Sequence, residues 1–364
     1  MSSFLISFII AALFTLLVIK QAWMHGAALD TDLDGVQKVH DSAVPRVGGI
    51  GIAVGIAATA CWTLFREPAV GPSILLLFAC GLVALSGGIL EDFTQRVSPS
   101  RRLLLTLAAA ALGYFLVGAR VERIDWFGGT FHLDTIWLAL PLTMLAVAGI
   151  ANAVNIIDGF NGLASVVTIC MLLSLAYVGW QVNDQFILIS ALIVAGATAG
   201  FLIWNYPVGL IFLGDGGAYL IGFMLGELAV LLVMRNPQVS TWYAALLLIY
   251  PVFETLFSVY RRLFVRGKSP GMPDGIHLHT LIFRRVAVWA VGARDARALT
   301  RRNALTSPYL WLLSAMAVIP ATLFWRYTGV LMLFCVLFVS SYVWLYARIV
   351  RFKSPRWMIF ARRH

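Results

Sequence analysis

The chain has 364 residues, of which 60% are hydrophobic and only 12% are charged, and its mean hydropathy is +0.87. A soluble domain of this length cannot hide so much apolar surface, so the composition indicates that lipid surrounds much of the chain. The net charge of +10 does not indicate nucleic-acid binding, because the basic residues flank apolar segments and form no basic domain of their own.

Most of the chain falls into apolar segments of roughly 17–25 residues, the length of helix that crosses a hydrocarbon core of about 30 Å. The sequence therefore predicts an all-α, polytopic integral membrane helix bundle of about eleven transmembrane helices. The predicted spans are approximately 4–23, 47–65, 73–90, 103–119, 136–151, 162–180, 186–204, 208–233, 242–260, 309–325 and 329–349. The first span lacks a small-residue cleavage site and is expected to be a helix and not a signal peptide. The eighth is a candidate for a break, because Pro207 and four glycines are concentrated at its start.

The basic residues predict the orientation of the bundle. With the N-terminus outside, all but five of the 27 Lys and Arg residues fall on the cytoplasmic side, which is the positive-inside pattern. We therefore expect a cytoplasmic C-terminus and a transmembrane domain over 1–349 that contains a cytoplasmic loop at about 261–308. A basic cytoplasmic tail is expected over 350–364. Within the loop, residues 283–300 fit either a helix on the membrane surface or a simple linker.

Polar side chains are concentrated at the predicted cytoplasmic ends of the spans, in four separate stretches. They are Glu91 and Asp92 after the third span, Asn152, Asn155 and Asp158 before the sixth, Asn205 and Asp215 around the start of the eighth, and Asp274, His277 and His279 in the loop. Each stretch alone could be a helix cap or a turn. Because charges in membrane proteins are expensive and usually functional, their shared sidedness predicts one polar site.

The amides and carboxylates of this set suit a hard cation. Asn152, Asn155 and Asp158 are spaced three residues apart and so share one helical stripe. Carboxylate and amide oxygens favour Mg²⁺, which often bridges a protein to substrate phosphates. Asp215, in a glycine-rich turn whose backbone N–H groups could face a phosphate, fits the same role.

Basic and imidazole side chains supply the complementary charge. Arg46, Arg266 and Lys268 could hold a diphosphate, or could serve only as positive-inside flanks. The His277 and His279 pair has no thiolate and no third ligand nearby, so hydrogen bonding to a phosphate or sugar suits it better than zinc. These residues extend the predicted site from metal binding to phosphate binding.

With these clusters in view, the chain resembles the polyprenyl-phosphate N-acetylhexosamine-1-phosphate transferases, membrane enzymes that begin O-antigen, teichoic-acid and peptidoglycan lipid-intermediate synthesis. The resemblance runs from PRVGG at 45–49 to HLH at 277–279. The motif NxxNxxDG is present as Asn152, Asn155, Asp158 and Gly159, and FxGDxG is present as Phe212, Gly214, Asp215 and Gly217. The polysaccharide-priming branch matches better than the phospho-MurNAc-pentapeptide transferases, which carry a run of consecutive histidines.

The resemblance implies transfer of a sugar-1-phosphate, expected to be an N-acetylhexosamine-1-phosphate, from a UDP-sugar to polyprenyl (undecaprenyl) phosphate with release of UMP. It implies a bacterial inner-membrane location, an active site facing the cytoplasm, and a homodimer as one assembly to consider. It implies Mg²⁺ on Asp215 and Asn155, with Mn²⁺ as the alternative. The candidate substrate-binding residues are Arg46, Asn152, Asn161, Asn205 near the nucleobase, Arg266, Lys268, and His277 with His279 near the diphosphate or sugar.

Three carboxylates are candidates for the catalytic role. Asp92, with Glu91 as second candidate, would take a proton from the lipid phosphate or orient it. Asp158 would act either as a nucleophile in a two-step route or as an orienting group, and the sequence leaves both routes open. Glu91 departs from the usual Asp-Asp pair of the family, Asn161 replaces a common aspartate, and Thr280 stands where a third loop histidine is frequent.

Other classes fit less well. A phosphotransferase with a CDP-activated donor needs clustered aspartates of the DGxxAR type, and the sequence contains no such run. A secondary transporter would carry its functional acids near span centres, whereas the acids of the four polar stretches lie at span ends. A non-catalytic scaffold would predict that substitution of Asp215 affects stability alone.

Overall fold

The computed structural model describes residues 1–25, 29–30, 44–265, 267, 275–287 and 296–351. Arg266, Lys268 and Asp274 lie outside the described residues, as does the predicted tail from residue 352 onward. The roles expected for Arg266 and Lys268 therefore stay predictions. Residues 288–295 of the segment expected on the membrane surface, 283–300, also lie outside.

The described chain is a helical bundle. The helices are α1 (Ser2–His25), α2 (Gly48–Arg66), α3 (Gly71–Thr94), α4 (Pro99–Leu112, continued by a π-helical turn at Gly113–Val117), α5 (Ile136–Ile157), α6 (Leu163–Gln181), α7 (Gln185–Asn205), α8 (Gly214–Arg235), α9 (Thr241–Leu247), α10 (Ile249–Tyr260, continued at Arg261–Val265), α11 (Leu278–Ile282, continued at Phe283–Ala287), α12 (Ala296–Leu323) and α13 (Thr328–Val350). Among these residues, ten helices are long and apolar enough to span a membrane, and α9 with α10 raises the number to eleven. The prediction of a polytopic all-α bundle is confirmed.

Two short antiparallel hairpins accompany the helices in the described residues. The strands are β1 (Leu29–Asp30), β2 (Val44–Pro45), β3 (Arg123–Trp126) and β4 (Gly129–His132). β1 pairs with β2 just before α2, and β3 pairs with β4 between α4 and α5. The two hairpins lie at opposite ends of the bundle. Pro45 of β2 binds Phe212, just before α8 begins, whereas Arg123 of β3 binds Val233 near the end of α8.

Helix α8 is the centre of the bundle, with 94% of its spanning window buried. It packs mainly against α3 and α5, and also against α2, α6 and α7. Glycines allow these helices to approach closely: a Cβ on Gly222 would lie 2.7 Å from the Cα of Ala151 on α5. The start of α8 therefore meets the ends of α3, α5 and α7 at one end of the bundle.

Three predicted boundaries need correction. The eighth span is one helix that begins only at Gly214, so Pro207 and Gly209 precede the helix and the other three glycines lie in its first turn. The broken span is the ninth, where α9 and α10 are bent by 69° at Leu248. The helix of the tenth predicted span, α12, begins at Ala296 and not near 309. The loop predicted over 261–308 is therefore shorter.

Candidate active site

The turn that precedes α8 is held by backbone pairing with the start of α2. The amide of Gly48 donates to the carbonyl of Phe212 (3.0 Å), and that of Gly49 donates to Leu213 (2.9 Å). The amide of Phe212 donates in return to the carbonyl of Pro45 (2.8 Å). The two glycine-rich motifs of the sequence thus form one structural unit.

Glycines bring three helices into contact around the first turn of α8. A Cβ on Gly49 of α2 would overlap the backbone of Gly217, and a Cβ on Gly88 of α3 would overlap that of Gly216. No larger residue fits at these contacts without displacing the helices. The requirement for glycine here is one of close packing, and it brings the end of α3 onto the start of α8.

Asp92, near the end of α3, binds the first amides of α8. Its side chain is buried, Oδ1 accepts the N–H of Asp215 (2.8 Å), and Oδ2 accepts the N–H of Gly216 (2.9 Å). These N–H groups have no partner within their own helix, and the helix dipole favours a negative charge at this position. Asp92 therefore acts as an N-terminal cap from a neighbouring helix and fixes the position of Asp215.

The carboxylate of Asp215 lies among an amide and two guanidinium groups. Asn155 on α5 donates its Nδ2 to Asp215 Oδ1 (3.0 Å), and Arg46 Nη2 lies 3.8 Å from the same oxygen. Arg102, in the first turn of α4, forms an ion pair with Oδ2. The predicted metal ligands Asp215 and Asn155 are thus brought together, and Arg46 joins them.

The stripe on α5 faces α8 over two turns. Asn152 accepts a hydrogen bond from the hydroxyl of Tyr219 (3.3 Å). This contact lies one turn further along α8 than the contact between Asn155 and Asp215. Tyr219 and Asp215 are four residues apart on α8 and so lie on one face. The spacing of the NxxNxxD motif therefore matches a helix-to-helix contact.

Asp158 and Glu91 lie at the edges of this cluster. Asp158 follows the last residue of α5, and burial raises the pKa of its carboxyl to about 7, while the charge of nearby Arg46 opposes the rise. Glu91 accepts the backbone N–H of Val97 (2.7 Å) and so caps the turn after α3. Asp92 contacts α8, and Glu91 contacts the α3–α4 turn.

The two remaining asparagines of the predicted site hold backbone. Asn205 accepts the N–H of Gly162 (2.6 Å) and donates to the carbonyl of Ile211 (2.8 Å). Asn161, also buried, donates to the carbonyl of Pro207 (3.1 Å). These bonds tie the turn after α5 to the segment before α8, so contacts of either asparagine with a substrate stay predictions.

Helix α12 supports the same turn from the other side. Asn303 accepts the backbone N–H of Asn161 (2.9 Å), and Ser307 donates its hydroxyl to the carbonyl of that residue (2.6 Å). The indole of Trp311 donates to the carbonyl of Gly162 (3.2 Å). Asn303 and Ser307 were missed from the sequence because the predicted tenth span, which corresponds to α12, began only at residue 309.

The histidines of the HxH pair approach the cluster from the loop. The rings of His277 and His279 are stacked, with centroids 5.0 Å apart and planes inclined by 9°. A Cβ on Gly159 would lie 3.3 Å from Nε2 of His279, so this ring lies against the turn that follows Asp158. The structure therefore brings His279 to the edge of the predicted site.

Arg102 is the main residue of the cluster that sequence reasoning missed. From the sequence, Arg102 is one of three arginines, with Arg96 and Arg101, that set topology and could balance the acids at the end of the third span. Its side chain is 15% exposed and contacts Asp215 directly, whereas Arg101 beside it is exposed. Its place in the first turn of a span, on the same side as the acids, was the available signal.

The donor set at Asp215 is compatible with magnesium. Asp215 and Asn155 offer a carboxylate and an amide within one hydrogen bond of each other. Within the described ranges, no three His, Cys, Asp or Glu side chains form a metal cluster. Mg²⁺ commonly takes one or two protein carboxylates and completes its shell with water and substrate phosphates, so a small set of oxygen donors fits it.

Comparison with known proteins agrees with this arrangement. Residues 74–233 match the family described as glycosyl transferase family 4. The chain is 29% identical over 286 residues to a probable undecaprenyl-phosphate N-acetylglucosaminyl 1-phosphate transferase of Bacillus subtilis, covering 76% of this chain and 75% of that one. It is 28% identical to the undecaprenyl-phosphate alpha-N-acetylglucosaminyl 1-phosphate transferase of Thermotoga maritima, covering 70% and 72%.

The peptidoglycan branch is also represented. The chain is 31% identical over 203 residues to the phospho-N-acetylmuramoyl-pentapeptide-transferase of Clostridium beijerinckii, covering 53% of this chain and 62% of that protein. The matched family segment contains Asp92, Asn155, Asp158 and Asp215, which the fold brings to one end of the bundle. The chain is therefore similar to both branches of the polyprenyl-phosphate N-acetylhexosamine-1-phosphate transferase superfamily.

Proposed function

We propose that this protein transfers a sugar-1-phosphate from a UDP-sugar to a polyprenyl phosphate in the membrane. One observation carries the proposal: Asp92, Asn155 and Asp215 converge from α3, α5 and α8, with the guanidinium groups of Arg46 and Arg102 beside them. Paired oxygen donors and cations at one end of a membrane bundle suit a diphosphate and a lipid phosphate. The names of the relatives in Bacillus subtilis and Thermotoga maritima support the same reaction class.

In the proposed reaction, a phosphate oxygen of the lipid attacks the β-phosphorus of the UDP-sugar. A new P–O bond forms, the bond from the β-phosphorus to the bridging oxygen breaks, and UMP leaves with the electron pair. A phosphate monoester with a second pKa near 6 is mostly ionised at pH 7. The acceptor therefore needs positioning more than it needs a general base.

The carboxylates divide this work between them. The sequence leaves proton transfer and orientation open for Asp92, and its two hydrogen bonds to the start of α8 support a positioning role. Asp158 lies at the end of α5 within the field of Arg46 and is the remaining candidate for orienting the acceptor. For Asp158 the two-step route stays a prediction: its carboxylate would displace UMP from the β-phosphorus, and the lipid phosphate would then displace the carboxylate. Isolation of an acyl phosphate between Asp158 and the sugar phosphate would support this route.

Asp215 and Asn155 would hold Mg²⁺, with Mn²⁺ as the alternative. The bound ion would neutralise the diphosphate and stabilise the leaving UMP. Arg46 and Arg102 contact Asp215, and their guanidinium groups are suited to bidentate binding of phosphate oxygens. Their charge would hold the diphosphate of the donor at the start of α8.

We place the site on the cytoplasmic face of the bacterial inner membrane, with the N-terminus outside. The distribution of Lys and Arg supports this orientation. The donor is proposed to be a UDP-N-acetylhexosamine that primes a cell-envelope polysaccharide, because the lipid-linked N-acetylglucosamine relatives align over more of the chain than the peptidoglycan relatives. A homodimer is proposed as the assembly to test by size and light scattering.

A transfer assay on the purified full-length protein tests the proposal. The protein would be incubated with undecaprenyl phosphate, Mg²⁺ and one labelled donor at a time: UDP-GlcNAc, UDP-GalNAc or UDP-MurNAc-pentapeptide. We expect a labelled lipid product and equimolar UMP with an N-acetylhexosamine donor, and loss of both when EDTA removes the metal. Product from UDP-MurNAc-pentapeptide alone would move the protein to the peptidoglycan branch. The absence of product with every donor would contradict the proposed reaction.

A further inference from the structure

The buried carboxylate of Glu254 on α10 binds the segment that contains His277 and His279. Glu254 is 1% exposed, and its Oε1 lies 3.1 Å from Nδ1 of His277 and 3.0 Å from the donating N–H of Leu278. Its Oε2 accepts the hydroxyl of Tyr342 on α13 (2.6 Å). Both carboxylate oxygens are thus used, by donors from two separate parts of the chain.

This contact reaches the candidate active site through the two stacked imidazoles. Glu254 contacts His277, His277 stacks on His279, and His279 lies against the turn at Gly159 that follows Asp158. Phe160 packs edge-on against the ring of His279, with centroids 5.6 Å apart. The path from α10 to the turn after α5 is therefore continuous.

A carboxylate fixes the chemistry of the imidazole as well as its position. An ionised carboxylate only accepts hydrogen bonds, so His277 must carry a hydrogen on Nδ1. The neutral ring then has Nε2 as its acceptor, and Nε2 is where a further proton would bind. A glutamine at position 254 carries an NH2 group as well as an oxygen, so it would specify this tautomer less strictly.

The location of Glu254 argues against a role in packing alone. It lies within a membrane-spanning helix, where burying a carboxylate is costly and usually serves function. The segment before His277 already has a second attachment, because Arg261 donates to the carbonyl of Ile276 (3.1 Å) and to the hydroxyl of Tyr346 (2.7 Å). An acid is therefore not required merely to attach this segment to the bundle.

We propose that Glu254 is a positioning residue, which sets the tautomer of His277 and holds the His277 and His279 pair against the Asp158 turn. The pair would then present imidazole nitrogens to the diphosphate or sugar of the donor. This inference rests on the proposed function for the identity of the ligand. It assigns to α10 and α13 a part in donor binding that no motif of the sequence indicates.

Glu254→Gln is the central test, because glutamine keeps the shape and loses the charge. We expect KM for the UDP-sugar to rise about tenfold, the effect of one charge-assisted hydrogen bond. In the same variant, kcat and KM for the lipid phosphate should each change by less than about threefold. Tyr342→Phe leaves the charge in place and should raise the donor KM by a smaller factor, about threefold.

A double-mutant cycle separates positioning from stability. If Glu254 acts through His277, Glu254→Gln should add little to the donor KM in a His277→Ala background. Glu254→Asp, which restores the charge, should recover part of the lost affinity. If Glu254→Gln lowers the thermal stability but leaves KM for the donor unchanged, the inference is overturned. If Glu254→Gln does not fold, an unchanged donor KM in Tyr342→Phe would overturn it.

Calorimetric titration of each of the three donors into wild type and Glu254→Gln keeps this inference apart from the proposed reaction. Weaker binding by the variant supports the positioning role even if wild type transfers no sugar phosphate. Equal binding by the two folded proteins contradicts it even if wild type is fully active. Failure of wild type to bind any of the three donors would overturn the inference together with the proposed function.

Discussion

The two ends of the bundle both bury aspartates, but they use them differently. At the end where α8 finishes, Asp184 accepts Arg235 Nε (2.8 Å) and Asn236 Nδ2 (3.1 Å), and it caps α7. Asp125 on β3 pairs with Arg123 (2.8 Å) and accepts the N–H of Thr241. Each of these acids has its own arginine and its own complete set of partners.

The end where α8 begins is arranged around a shared centre. Asp92 binds the backbone N–H of Asp215, while Asn155 and two arginines contact the Asp215 carboxylate itself. An amide and two cations from three separate segments therefore converge on one carboxylate, which a fourth segment holds in place. The comparison teaches that burial of a charge does not identify a site, whereas convergence of several segments on one carboxylate does.

The largest expected effect follows from substitution of that shared carboxylate. Asp215→Asn removes the charge on which Asn155 and the two arginines converge, and we expect turnover to fall at least about 100-fold. The measurement is labelled lipid product per folded molecule. Asp184→Asn is the matched control at the other end and should keep turnover within about twofold, as expected away from the reacting groups. Near-normal turnover in Asp215→Asn would remove the metal assignment.

Arg102 gives the next largest effect. Arg102→Gln removes one of the two cations at Asp215, and we expect kcat/KM for the UDP-sugar to fall by roughly tenfold to 100-fold, the range for a charged hydrogen bond. Arg101→Gln, on the exposed side of the same helical turn, is the matched control. Equal losses in the two variants would mean that only the overall positive charge of this face matters.

Asp92 distinguishes a helix cap from a general base. Asparagine keeps one acceptor for the first amides of α8, so Asp92→Asn should lower kcat about tenfold and reduce stability by about 1–2 kcal/mol. Glu91→Gln should cost less, because Glu91 binds the turn at Val97. Rate profiles from pH 6 to 9 and thermal unfolding measure both effects. Complete loss of turnover without loss of stability would instead favour proton transfer by Asp92.

The sequence predicted the convergence because its four motifs fall at span ends of the same sidedness. The association of Asn155 with Asp215 came from the family resemblance, and the two side chains are hydrogen-bonded in the structure. The sequence could not separate ligand from structural support for Asn205, because an amide that caps a backbone and an amide that binds a substrate are the same group.

Two features of the fold were hidden for different physical reasons. The bend between α9 and α10 occurs at Leu248, one turn before Pro251, which cannot donate a helical hydrogen bond to the carbonyl of Leu247. The apolar run around this proline nevertheless reads as one span, so the bend was missed. Glu254 lies in that run without a motif. A lone acid inside an apolar span was nonetheless a usable signal, since burial of such a group is costly.

The smallest expected effect on activity belongs to the opposite end of the bundle and tests the comparison most directly. Asp125→Asn leaves Arg123 without its carboxylate in a pair whose side chains are only 13% and 11% exposed. Removing one partner of a buried pair costs about 3 kcal/mol of stability. Because β3 lies across the membrane from Asp215, kcat/KM per folded molecule should stay within about twofold of wild type. A large loss of turnover at unchanged stability would show that this end takes part in the reaction. The distinction between structural acids, each paired with its own arginine, and the shared site at Asp215 would then be wrong.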